Sequence, residues 1–210
     1  MNGNRFRHQA MRGIVNLSIL SICLTAGCVR SVQPILKPEQ VITDDRFLGD
    51  WVTSDGKQTG VVTATDDHKG YKLLYTDEHG KQANLLISLG KVGDLMIAQS
   101  TIDDPAPEAS GVYHMHLLQL YSFMIVKQVT PQLIINTMDG GWLSKYVKAH
   151  PGELSTLPPG DSDVVVTATT EEFQQFLLHH VGDDGALTND SNLVRPGDPT
   201  TQATTAPAAK

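Results

Sequence analysis

The chain has 210 residues, with 16 Lys and Arg against 23 Asp and Glu and a formal net charge of −7. No basic stripe interrupts that balance, which argues against a nucleic-acid partner, because phosphate contacts need clustered Lys and Arg. The chain has only two cysteines, Cys23 and Cys28, too few for a disulfide framework, so the fold must rest on an apolar core.

The first twelve residues carry Arg5, Arg7 and Arg12 and no acid. An apolar run from Gly13 to Leu24 follows, and then the small residues Thr25, Ala26 and Gly27. A basic head, a short apolar stretch and small residues before a cut form a signal peptide. The run is too short for a bilayer span, which needs roughly 20 helical residues. Leu24-Thr25-Ala26-Gly27-Cys28 resembles the lipobox of bacterial lipoproteins, with Thr25 where that family more often has an aliphatic residue.

The resemblance implies cleavage between Gly27 and Cys28 and lipidation of Cys28 with diacylglycerol and a further acyl chain such as palmitate. It implies a protein of the bacterial cell envelope held on a membrane by that lipid. Val29, rather than Asp, after the cysteine leans towards the outer membrane under the sorting rule of enteric bacteria. Residues 1–27 leave with three arginines and no acid, which lowers the net charge of −7 by three, to −10. Such a charge suits solubility.

Residues 28–45, with Pro34 and Pro38 and no hydrophobic period, are expected to form a lipidated tether. Residues 46–182 are expected to form a single β-rich domain, in which short alternating runs are split by turn residues. The runs are Phe47 to Val52, Thr59 to Thr65, Tyr71 to Tyr75, Ala83 to Leu89 and Leu95 to Ala98. A polar, proline-bearing loop covers 102–111. A long strand, apolar on both faces, is expected from Tyr113 to Gln128, and a last hairpin partner from Gln132 to Thr137.

Two short helices are expected near residues 140–150 and 169–180. Asp139 is placed to cap the first, and Thr169 with Glu172 has the capping-box spacing for the second. Val164 to Val166 reads as one more strand between them. From 183 to 210, Gly, Pro, Thr, Ala, Asn and Asp predict a disordered tail.

A mainly β antiparallel meander of about 7–8 strands must hide its edges or close, as a small barrel or a sandwich. Phe47-Leu48-Gly49-Asp50-Trp51, at the head of the first strand, resembles the Gly-x-Trp signature of lipocalins. That resemblance implies a lipocalin-like barrel with Trp51 packed across its closed base.

The chemistry-bearing residues are sparse. His114 and His116 point to one face of a predicted strand, but a zinc site needs a third protein ligand, and no metal or other cofactor is expected. His179 and His180 suit the carbonyl end of a helix. Gly160-Asp161-Ser162 is similar to the nucleophile block of one esterase family but precedes a late strand, which makes it a turn. Asp103-Asp104 and Asp183-Asp184 fall among turn formers. No catalytic residue and no enzyme activity are expected.

Trp51, Tyr71, Tyr75, Tyr121 and Phe123 are the candidate ligand-binding or core residues. Two functions follow for this membrane lipoprotein. It is a binding module that holds a small apolar ligand in its barrel, or a non-catalytic structural lipoprotein that meets another envelope protein.

Overall fold

The computed structural model describes residues 29–103, 110 and 117–197. Cys28 with residues 1–27, and the His114/His116 pair, lie outside the described residues. The strands in chain order are β1 (Val29–Ser31), β2 (Val41–Ile42), β3 (Gly49–Thr53), β4 (Thr59–Ala64), β5 (Tyr71–Thr76), β6 (Gln82–Val92), β7 (Leu95–Ile102), β8 (Tyr121–Gln128) and β9 (Leu133–Asn136). Helix α1 (Gly140–Ala149), β10 (Val164–Val166), helix α2 (Thr170–His180) and β11 (Ser191–Val194) complete the chain.

Each strand from β3 to β9 pairs antiparallel with its neighbour in sequence. β9 then pairs with β11 and β11 with β3, which closes an eight-stranded, lipocalin-like barrel. Closure leaves these eight strands with no long free edge. The hairpin turns β3–β4 and β4–β5 use one device twice. Asp55 accepts from the Thr53 hydroxyl and the Lys57 N–H, and Asp67 accepts from the Thr65 hydroxyl and the Lys69 N–H.

Alternation along the strands sorts side chains into two cores. Trp51, Val62, Tyr71, Ile87, Leu89, Ala98, Val126 and Leu133 point into the barrel and are buried there. Ile97 and Phe123 point outward from β7 and β8, beneath α1 and α2, where they meet Leu143, Phe173 and Leu177. Phe123 and Phe173 meet edge to face at 5.5 Å. At ~1.5–3 kcal/mol for each fully buried large apolar side chain, these cores outweigh exposed ion pairs worth ~0–1 kcal/mol each.

Both helix starts follow the sequence. The Asp139 carboxylate accepts the Trp142 N–H at 2.7 Å. Thr169 and Glu172 form the reciprocal capping box, which holds the Glu172 carboxyl below its usual range.

Three expectations are corrected. First, residues 29–45 are not a tether. β1 lies between β8 and β10, antiparallel to one and parallel to the other. Ile35 and Leu36 are buried, and their N–H groups are accepted by the Gln99 side-chain carbonyl. The Gln174 amide donates to the Ile35 carbonyl at 2.6 Å. Polar partners far along the chain thus satisfy a buried loop that has no period of its own.

Second, residues 183–197 do not belong to a disordered tail. Ala186 is fully buried, β11 completes the ring, and Asn136 donates to Thr188 O and Asp190. The segment is too short and polar to announce itself, and its order comes from the strands on either side of it. Third, of the strand expected from Tyr113 to Gln128, 117–120 is irregular and Tyr121–Gln128 forms β8, while 111–116 lies outside the described residues.

Candidate functional site

The five aromatic candidates divide between the two cores. Trp51, Tyr71 and Tyr75 face the barrel interior, whereas Tyr121 and Phe123 face outward towards the helices. At one end the barrel is plugged. The Trp51 indole N–H donates to the Phe47 carbonyl at 2.9 Å, and Phe47 meets the Tyr71 ring at 5.1 Å. Tyr71 hydroxyl accepts the Asp44 N–H at 2.6 Å, and burial raises its pKa.

Arg195 covers this plug. Its guanidinium lies 3.6 Å from the Trp51 ring centre and donates to the Arg46 carbonyl at 2.7 Å and the Asp50 carbonyl at 3.2 Å. Gly49 has φ +101°, and a Cβ there would come within 2.8 Å of Arg195. The Gly-x-Trp motif therefore has a physical basis here. Gly49 makes room for the cation that Trp51 supports. Arg195 was not legible as part of this unit, because it stands in the predicted tail 144 residues from Trp51.

The other end of the barrel is looser. Tyr75 stands across from Gly60 on β4 and Ala83 on β6, two small neighbours. Leu73, Tyr75 and Leu85 are half-buried, and Ile102 is 47% exposed. The Tyr75 hydroxyl, though shielded, meets no hydrogen-bond partner among the described residues. Desolvation by burial raises its pKa.

Two concavities stand out among the described residues, and both lie mainly on the outside. A smaller one of about 300 Å³ covers the outer face of β4, β5 and β6 around Val61, Lys72 and Leu74. A larger one of about 720 Å³ lies between α1 and α2. Tyr146 and Phe176 supply its aromatic surface, with ring centres 5.4 Å apart. Glu153, Glu171, Glu172 and Asp183 ring it; Lys37 pairs with Glu171 at 2.7 Å, and Glu172 is held in the capping box.

A chain of polar contacts crosses this groove. Asp183 Oδ2 lies 2.7 Å from His180 Nδ1, and His180 Nε2 lies 3.3 Å from the Tyr146 hydroxyl. Tyr146 donates its proton to Glu153 at 2.5 Å. The Glu153 carboxylate pushes the Tyr146 pKa up to about 12. Aromatic stacking of Trp142 on Tyr146, at 5.1 Å, and of Tyr146 on His150, at 4.3 Å, fixes the ring that carries the hydroxyl.

The sequence pointed to His179, His180 and Asp183 only as helix-end and turn residues. Their convergence with Tyr146 and Glu153 depends on α1 packing beside α2, which no local pattern encodes. The Gly160-Asp161-Ser162 segment is an exposed turn, whose Gly160 carbonyl accepts from the Ser144 hydroxyl at 2.5 Å. No group of three metal-ligating side chains occurs among the described residues, and none of their helices is long and apolar enough to cross a membrane. No family model, curated protein or solved structure matches this chain.

Proposed function

We propose that the chain is a bacterial envelope lipoprotein, held on a membrane by lipid on Cys28, whose barrel is a scaffold for a docking groove on its helices. The lipobox-like segment before Cys28 supports the anchor, and Val29 favours the outer membrane. The groove between α1 and α2 is the observation that carries the docking role. An aromatic floor ringed by four carboxylates, of which only Glu171 is paired with a Lys, Lys37 at 2.7 Å, suits a cationic segment of another envelope protein.

The test is a peptide titration. A short Lys- and Arg-bearing peptide should bind the soluble domain with an affinity that falls as salt rises. Gln175→Arg, which places a cation in the groove without disturbing a cap or a core contact, should abolish that binding. An equally tight complex with the variant would remove the groove from consideration.

The loose end of the barrel favours a second function, a small apolar ligand seated over Leu73, Tyr75 and Leu85. The unpartnered Tyr75 hydroxyl supports it. A fluorescent fatty-acid probe should then bind the wild type and lose affinity in Gly60→Leu. Absence of saturable binding would count against this ligand class.

A further inference from the structure

The start of the folded domain decides how close it stands to the membrane. Val29 is buried and paired, beside Val164 on β10 and within a sheet that continues through β8. Cys28 is one peptide step away, a Cα separation of ~3.8 Å. A stalk needs residues between lipid and fold, and here none remain.

We infer that the domain has no stalk, and that with lipid on Cys28 the amino ends of β1 and β10 rest directly on the bilayer surface. The inference depends on the proposed lipidation, and it goes further by naming the face that meets lipid. β1 and β10 run parallel, so their amino ends lie on one side. The chain enters β10 through a hairpin-like return, in which the Leu157 N–H donates to the Val165 carbonyl and Thr156 pairs with Val166. The tip of that return, 158–163, therefore stands at the same end as the residue before Val29.

The surface of this tip suits a headgroup layer. Pro158, Gly160, Asp161, Ser162 and Asp163 are exposed, and Leu157 behind them is 49% exposed. Its two acids are matched by two cations. Arg30 lies 3.4 Å from Asp163, and Lys148 lies 4.0 Å from Asp161. The tip thus brings no net negative charge against anionic lipid, although the protein as a whole is acidic.

The experiment uses the full chain, made in a bacterial host and purified with its lipid. The mass of the mature amino terminus is read first. Ser162→Cys and His79→Cys proteins are then labelled with an environment-sensitive fluorophore. Each is reconstituted in phosphatidylethanolamine and phosphatidylglycerol vesicles that carry a nitroxide quencher at the headgroup. His79 lies on the β5–β6 turn, on another wall of the barrel.

Quenching should be several-fold stronger at 162 than at 79, and a flexible Gly-Ser spacer inserted between Cys28 and Val29 should erase the difference. Equal quenching at the two positions in a lipidated protein, or a difference that survives the spacer, would overturn the bilayer-facing assignment and leave the anchor standing. An unmodified Cys28 would overturn both.

Discussion

The inner and outer cores share strands but are built by different rules. Inside the barrel, strand alternation brings residues such as Trp51, Val62, Tyr71 and Ile87 together across short hairpins. Outside it, β7 and β8 use their other face to seat two helices and the buried segment around Ile35 and Leu36. The doubly apolar character of β8 follows from this, because Met124 and Val126 serve one core while Phe123 serves the other. The barrel supplies rigidity, and the outer layer supplies the concave aromatic surface.

The two cores can be separated by experiment because the two tryptophans divide between them, Trp51 inside and Trp142 on α1 outside. Truncation after Gly185 removes β11 and Arg195 and reopens the ring. Cooperative unfolding, followed by urea and Trp51 emission, should be lost. A truncated protein with an unchanged midpoint would show that the segment contributes nothing to closure.

Phe173→Ala empties part of the outer core and should cost about 3–5 kcal/mol. The Trp51 and Trp142 transitions should shift together, since β7 and β8 belong to both cores. A shift confined to Trp142 would make the barrel an independent unit.

Arg195→Ala removes the cation over Trp51 and two hydrogen bonds to carbonyls, at a cost of about 1–3 kcal/mol. It should alter Trp51 emission and leave Trp142 unchanged. The smallest effect is electrostatic. Asp190, held low by Lys127 and Asn136, and Asp44, held low by Arg46, each have a folded pKa below the unfolded value. Their contribution is complete above the ordinary carboxylate range and is lost as pH falls through the lowered values. The urea midpoint should therefore be flat near neutrality and decline in acid; a midpoint that rose in acid would contradict it.

Much of the barrel was legible because its signals are local. Ala83, Leu85, Ile87 and Leu89 alternate within one strand, and the turn that follows β5 carries Asp77 and, at positive φ, Gly80 where the backbone needs them. The capping box of α2 sits within four residues. The segments that were misread depend on distant partners. Ile35 is held by Gln99 and Gln174, and β11 by β3 and β9. The groove was illegible for the same reason. Tyr146 and His180 become neighbours only when the wall of the barrel brings their helices together.

The most direct test of where this protein binds uses the same pair of tryptophans. With both replaced by 5-fluorotryptophan, the ¹⁹F spectrum has one resonance for each core. Addition of a Lys- and Arg-bearing peptide should move the Trp142 resonance, which reports on the Tyr146 stack, and leave that of Trp51 in place. A spectrum in which that peptide left Trp142 unmoved, while a fatty acid shifted Trp51, would place the binding site inside the barrel instead.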